Sequence, residues 1–130
     1  MIKKRFGIKG GLSTMTFGER VVLIALSIPK GKVTTYGRIA RVAGGGNMAS
    51  RSVTSILGKA YSQGQKDIPF HRIVYSDGRV WMSESHEKER MRKYKEEGIL
   101  LDSKGRVIDF ENVLYDIPKN KNREEVNFTE

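Results

Sequence analysis

The chain has 130 residues, no cysteine and a formal net charge of +9. Its length suits one domain with its own hydrophobic core. The lack of cysteine excludes disulfides and thiolate metal sites, and with only two histidines we expect no structural zinc and no other cofactor. The longest apolar run, Val21 to Leu26, is too short to cross a bilayer, and residues 1–11 lack the apolar segment of a signal peptide. We therefore expect no membrane partner and an intracellular location, cytoplasmic in a prokaryote or nuclear in a eukaryote.

The positive charge is concentrated in the first part of the chain. Residues 1–80 hold 14 lysines and arginines against 3 acidic residues, which gives +11, whereas residues 81–130 hold 10 against 12, which gives −2. A one-sided positive field is typical of proteins that bind the phosphate backbone of nucleic acids. A chain can also be basic simply because charge keeps it soluble, so charge alone does not decide between the two.

The first predicted helix begins after Thr16. Thr16 with Glu19 three residues later forms a capping-box pattern, in which each side chain bonds to the other's backbone N–H. Apolar residues then recur at helical spacing until Pro29 stops the helix. We expect this to be the first core helix.

Two further helices are predicted close together. Thr34 or Thr35 is placed to cap a short helix from about Tyr36 to Val42, which the glycines at 44–46 end. A third helix is predicted from near Asn47 to about Tyr61, with apolar residues at intervals of three and four. Two helices joined by a glycine-containing turn indicate a helix-turn-helix.

The second half is predicted to be less regular. Arg79–Met82 is interpreted as a short strand, and a charged helix is expected from about Ser85 to Glu97, ended by a glycine. Ile99–Leu101 and Arg106–Ile108 flank a turn and are typical of a β-hairpin. The fold class is therefore α+β and mainly helical, with a winged-helix-like helix-turn-helix and a small C-terminal hairpin.

Three segments are predicted along the chain. Residues 1–14 form a basic, flexible N-terminus, residues 15–117 form the folded domain, and residues 118–130 form a polar tail. The tail is poor in apolar residues, so we expect it to be disordered.

Two motifs carry a resemblance to a known family. Gly31-Lys32-Val33-Thr34-Thr35-Tyr36-Gly37 is followed by Pro69-Phe70-His71-Arg72, with Arg51 on the helix between them. In this order they resemble the C-terminal domain of the O6-alkylguanine-DNA alkyltransferases, whose Pro-Cys-His-Arg motif supplies the cysteine that accepts the alkyl group. Phe70 stands at the position of that cysteine, and a phenyl ring cannot act as the nucleophile. The chain is thus similar to the alkyltransferase-like proteins, which lack the cysteine.

The resemblance also implies which residues face DNA. Tyr36 would crowd the 3′ phosphate of the damaged nucleotide, and Arg51 would fill the space left by the flipped base. Small neighbours of this arginine suit entry into the minor groove, although Thr54 replaces a family glycine. The implied DNA-facing set is Thr34, Thr35, Tyr36, Ser50, Arg51, Ser52, Thr54 and Ser76.

A lesion pocket follows from the same resemblance. Its expected lining is Pro69, Phe70, Arg79 and Trp81. His71 and Glu97 match the histidine and glutamate that activate the cysteine in the enzymes, and here we interpret them as vestigial, bonded to each other beneath the pocket.

The resemblance implies a monomer that binds O6-alkylguanine in duplex DNA without repairing it and marks it for nucleotide excision repair proteins. One alternative is an enzyme that uses His71 and Glu97 to hydrolyse or modify a base. This alternative lacks a nucleophile for a covalent intermediate. The other is a transcription regulator using the helix-turn-helix, which is disfavoured because the minor groove distinguishes bases poorly.

Overall fold

The computed structural model describes residues 15–45 and 50–118. Helix α1 spans Phe17–Leu26, as predicted. Its capping box is confirmed: the Thr16 hydroxyl accepts the N–H of Glu19 at 3.0 Å, and the Glu19 carboxylate accepts the N–H of Thr16 at 2.9 Å. These bonds satisfy backbone donors that have no partner inside the helix.

The predicted helix-turn-helix is present. Helix α2 spans Tyr36–Val42, and its cap is Thr35, whose Oγ1 accepts the N–H of Arg38 at 3.1 Å. Helix α3 spans Ser50–Ser62, and its predicted start near Asn47 lies outside the described residues. Helices α2 and α3 pack against each other and against α1.

One apolar cluster joins these three helices. It includes Val21, Ala25, Ile39, Val53 and Leu57, each fully shielded from solvent. On α3 the buried residues lie four positions apart and therefore on one face, which leaves the rest of the helix open to a partner.

A pair of very short strands was not predicted. Strand β1, Thr34–Thr35, runs parallel to β2, Ile73–Val74, with Thr34 opposite Ile73. A single 3-10 turn, Phe70–Arg72, leads directly into β2. Two-residue strands carry no periodic signal, so only the folded chain reveals that this pairing places the second motif beside the start of α2.

The charged helix begins later than predicted. Helix α4 spans Glu87–Glu97 rather than starting at Ser85, and it ends at Gly98 in the left-handed conformation with φ 74°. Tyr94 is its buried anchor in a second apolar cluster. Met91, the other large apolar residue of this helix, is 42% exposed.

The predicted strand Arg79–Met82 is wrong. Only Arg79 pairs, through one antiparallel bridge to Arg106. The carbonyl of Trp81 instead accepts a bond from the guanidinium of Arg90 at 3.3 Å, which turns this segment towards α4.

The C-terminal hairpin is present in a minimal form. Ile99–Leu101 and Arg106–Ile108 face each other through the single bridge Leu101–Val107, supported by a backbone bond from the N–H of Ile108 to the carbonyl of Leu100 at 2.8 Å. A short helix α5, Phe110–Val113, follows and was not predicted.

The predicted N-terminal segment 1–14 lies outside the described residues, as does the predicted tail 118–130 apart from Pro118. Of the helices that the structure describes, none has the length and apolar character needed to cross a membrane.

Candidate nucleic-acid interface

A cavity of about 590 Å³ opens between the end of α3, the Pro-Phe-His-Arg motif and α4. Its lining comprises Tyr36, Thr54, Tyr61, Lys66, Ile68, Phe70, His71, Tyr75, Trp81, His86, Glu89, Arg90 and Lys93. Two members of the predicted pocket, Phe70 and Trp81, line this cavity. The elements α2, α3, α4 and the 3-10 turn each contribute to it, so the cavity exists only once the chain has folded.

Pro69 and Arg79, which were also predicted to line the pocket, do not. Pro69 is buried ahead of the 3-10 turn. The Arg79 guanidinium donates from Nε to Oδ2 of Asp77 at 3.0 Å and lies over the Tyr75 ring at 5.5 Å. Arg79 is held in this turn beside Tyr75, which does line the cavity, but neither Arg79 nor Pro69 is itself part of the lining, and the prediction for both residues is corrected.

Aromatic rings form much of the cavity wall. Phe70 meets Tyr61 edge-on with ring centroids 5.7 Å apart, and Tyr36 meets Tyr75 at 5.9 Å. Burial raises the pKa of Tyr36, and the neighbouring Tyr75 raises it further. Such a wall is suited to stacking against a planar base. Tyr61 and Tyr75 were not predicted as site residues, although Tyr75 lies only three positions after the second motif.

The predicted site residues also did not include the cations that line the cavity. Lys66 Nζ lies 4.0 Å from the centroid of the Tyr61 ring, and the Arg90 guanidinium carbon lies 5.1 Å from that of Trp81. Lys93 Nζ is 3.8 Å from Oε2 of Glu89 one helical turn away. The charged pattern of α4 signalled a solvated helix, and nothing in its spacing distinguished the face that borders the cavity.

His71 and Glu97 are bonded to each other, at 2.8 Å between Nε2 and Oε2. The same carboxylate accepts bonds from the Arg72 guanidinium, the shortest at 2.6 Å, and from the N–H of Gly31 at 3.0 Å. Arg72 had no predicted role, although it is part of the motif. It also donates to the carbonyl of Ile28 at 2.7 Å, which links the motif to the segment after α1.

The protonation states follow from this arrangement. Burial opposes ionisation of Glu97, but bonds from Arg72, Gly31 and His71 outweigh it and lower its pKa to about 2. Burial lowers the pKa of His71 in spite of the adjacent carboxylate. At neutral pH the imidazole is therefore neutral, and it must carry its proton on Nε2 in order to donate to Glu97. Among the described residues, no group of three or more His, Asp or Glu side chains could hold a metal ion.

The exposed face of α3 leads to the cavity. Arg51, Ser52 and Thr54 are exposed and Ser50 is half-buried. Arg51 precedes Thr54, a lining residue, by three positions, and residues at this spacing are neighbours on a helix surface. Arg51 is therefore an exposed helix neighbour of a residue that lines the cavity.

Two threonines of the predicted DNA-facing set lie inside the protein. Thr34 is 0% exposed and Thr35 is 6% exposed, and the hydroxyl of Thr35 is engaged as the cap of α2. The prediction that their side chains face DNA is wrong for this reason. Tyr36, the next residue, is half-buried and lines the cavity, and Ser76 is exposed in the turn after β2.

Part of the positive charge has a structural task. Arg20 donates to the carbonyls of Ala43 and Met15 at 2.7 and 2.6 Å and so ties α1 to the end of α2. Lys30 and Arg41 remain exposed.

Comparisons with known proteins agree with this arrangement. The family model described as 6-O-methylguanine DNA methyltransferase, DNA binding domain, matches residues 16–99. A protein named DNA base-flipping protein from Escherichia coli is 32% identical over 92 residues, which cover 71% of this chain and 69% of that protein. One of the same name from Vibrio parahaemolyticus is 33% identical over 91 residues, which cover 70% and 88%.

A solved structure has the same fold. S. pombe Atl1 in complex with damaged DNA containing O6-carboxymethylguanine superposes with a TM-score of 0.61 and 26% identity, covering 77% of this chain and 94% of that protein. A second structure, of S. pombe ATL in complex with DNA, gives the same TM-score with 27% identity over the same shares of the two chains.

Proposed function

Because the chain belongs to the 6-O-methylguanine DNA methyltransferase family through its DNA-binding domain, we propose that it is a non-enzymatic reader of O6-alkylguanine. It binds duplex DNA as a monomer, rotates the altered base into the cavity and holds it there without repair. The relatives named DNA base-flipping protein and the similarity to Atl1 bound to damaged DNA support this proposal. We also propose that it passes the lesion to nucleotide excision repair proteins inside the cell.

The observation that carries the proposal is Phe70 on the cavity wall. It stands between Pro69 and His71, where the similar Pro-Cys-His-Arg motif of the enzymes has its alkyl-accepting cysteine. The chain has no cysteine elsewhere, and an aromatic ring cannot displace an alkyl group from oxygen. What the ring can do is offer an apolar surface to the extruded base and its alkyl group.

Base flipping is supported by two residues. Arg51 is exposed on α3, one helical turn before the lining residue Thr54, and its side chain can enter the stack as the base leaves. Tyr36 lines the cavity at the start of α2, where it can crowd the phosphate next to the lesion. Unstacking a base costs a few kcal/mol, and an inserted side chain offsets part of that cost.

The catalytic alternative has less support. The Nε2–H of His71 donates a hydrogen bond to Glu97, and the Glu97 carboxylate also accepts bonds from Arg72 and Gly31. A histidine that serves as a base needs a nucleophile or a water to deprotonate, and Phe70 beside it offers none. These bonds therefore have a structural role, which is to hold the end of α4 against the second motif.

The proposal is tested by binding to matched duplexes with guanine or O6-methylguanine at one position, at a stated salt concentration. We expect tighter binding to the lesion, and a rise in fluorescence from 2-aminopurine placed next to it, because flipping disrupts stacking. Equal affinity for both duplexes would rule out lesion recognition. Tighter binding without any fluorescence change would rule out flipping.

A further inference from the structure

We propose that the cavity favours guanines whose O6 substituent carries a negative charge. This inference rests on the proposed function, since it names the class of lesion that the same cavity holds best. It comes from the cations of the cavity wall, which the binding of a neutral O6-methyl group would not use.

The cavity has room for more than a base. Its volume of about 590 Å³ lies within the range of roughly 300–1,000 Å³ found for sites that enclose entire drug-sized ligands. A purine with a methyl group is smaller than such ligands. Space therefore remains for a longer substituent.

Two cations from separate elements border this space. Lys66 follows α3 and is held over the Tyr61 ring, while Arg90 belongs to α4 and is held over the Trp81 ring. A cation placed on a ring face is restrained before any ligand arrives, so less conformational freedom is lost on binding.

The nearby carboxylate, that of Glu89, pairs with neither Lys66 nor Arg90. Glu89 is the acidic side chain of the lining, and its partner is Lys93 at 3.8 Å. Within the described part of the chain, neither Lys66 nor Arg90 has a carboxylate within 4.0 Å. Their charges remain available to an anionic group that enters with the base.

The attraction acts near the surface of the protein. Lys66 is exposed, and the Tyr61 and Trp81 rings are 42% and 38% exposed, so a charge pair formed here has the modest strength of one at a protein surface. A carboxylate on the substituent can reach the cations while the purine contacts the aromatic rings. A neutral substituent of the same size has the same apolar contacts but lacks the charge attraction.

The test uses four duplexes of one sequence, with guanine, O6-methylguanine, O6-carboxymethylguanine or O6-carbamoylmethylguanine at the same position. The last two differ in charge but hardly in size, and their phosphate contacts are identical. We expect the carboxymethyl duplex to bind about threefold to tenfold more tightly than the carbamoylmethyl duplex at one moderate salt concentration. Lys66→Gln and Arg90→Gln should each lower this ratio by about 1.5-fold to fivefold.

Arg92→Gln is the matched control. Arg92 lies on α4, pairs with Glu96 at 3.5 Å and is absent from the cavity lining, so its removal should leave the ratio unchanged. Melting temperatures should show that all three variants remain folded.

The outcomes separate the two proposals. If both substituted duplexes bind equally well and more tightly than guanine, the charge preference is overturned while lesion recognition stands. A ratio that survives in Lys66→Gln and Arg90→Gln would also overturn it. If none of the lesions is preferred to guanine, the proposed function itself fails.

Discussion

The carboxylate of Glu97 and the imidazole of His71 form a buried pair, 2.8 Å apart, with each side chain only 8% exposed. Arg72 and the backbone of Gly31 bond to the same carboxylate. Through these bonds the end of α4 is joined to the second motif and to the turn before β1. Glu97 is therefore a structural centre beneath the cavity.

Glu97→Gln should destabilise the protein by about 3 kcal/mol, because it removes the charge that compensates the part-buried Arg72. The measurement is urea unfolding at pH 7. Glu96→Gln is the matched control, since Glu96 is on the same helix but pairs with an exposed arginine, and it should change stability by less than about 1 kcal/mol. Equal effects of the two substitutions would contradict the structural role of Glu97.

The same pair predicts a pH dependence. The pKa of Glu97 is lowered from 4.5 to about 2 in the folded protein. A lowered pKa stabilises the fold above the unfolded value, so this stabilisation should be present above about pH 4.5 and be lost as the pH falls towards 2. The loss is on the order of 3 kcal/mol. Comparing wild type with Glu97→Gln across this range isolates it, because the variant should lack this part of the acid sensitivity.

Arg51→Ala should weaken binding to the O6-methylguanine duplex by roughly 1–3 kcal/mol, because the flipped state loses the side chain that fills the gap. Binding to the undamaged duplex should weaken less. Lys59→Ala, on the same helix and also exposed, is the control for loss of charge alone. If Arg51→Ala leaves both affinities unchanged, Arg51 is an ordinary surface charge and the proposed docking is wrong.

Tyr36→Ala should reduce the preference for the lesion. Its ring also packs against the core and against Tyr75, so this substitution carries a cost in stability as well. Tyr36→Phe keeps the ring and should retain most of the stability, and its selectivity shows whether the hydroxyl takes part. A protein that unfolds when Tyr36 is replaced by alanine, but keeps full selectivity with phenylalanine, would make Tyr36 a core residue.

Affinity for undamaged DNA should fall steeply with salt, since phosphate contacts release bound counterions. The slope of log affinity against log salt is about −0.9 for each phosphate neutralised. Arg41→Ala should reduce its magnitude by about 1 if this exposed residue of α2 meets a phosphate. Lys88→Ala, in the acidic half, should leave the slope unchanged. A flat plot for wild type would show that the basic residues in positions 1–80 do not contact DNA phosphates.

Mixing the protein with radiolabelled O6-methylguanine DNA should transfer no label and release no altered base. The bound protein should nevertheless shield the lesion from an active alkyltransferase, because binding needs the cavity while transfer needs a thiol. Phe70→Cys would place a thiol beside His71, yet we expect little or no transfer, since small geometric errors are costly in a displacement. Robust transfer by this variant would mean that a single substitution had silenced an enzyme.

Local patterns were enough to predict where the first two helices begin. The Thr16–Glu19 capping box and the Thr35 cap act within a few residues, so the starts of α1 and α2 are legible from neighbours alone. The motif around Phe70 likewise identified the family, because its members lie close together in the chain. The start of α4 was misjudged because local propensity does not mark where the segment after Trp81 turns towards the helix.

By itself, the sequence determined the helix-turn-helix, the positive first half and the loss of the nucleophile, since each depends on residue type or on spacing within one segment. Only the tertiary structure decided which side chains share the cavity. Lys66, Tyr75 and Arg90 lie on separate elements, and the contacts that bring them together depend on parallel pairing of β1 with β2 and on the Glu97 joint. Thr34 shows the converse, because its place in the family motif suggested exposure while that same pairing buries it completely. Such long-range contacts form as the chain closes on itself, and no local period records them.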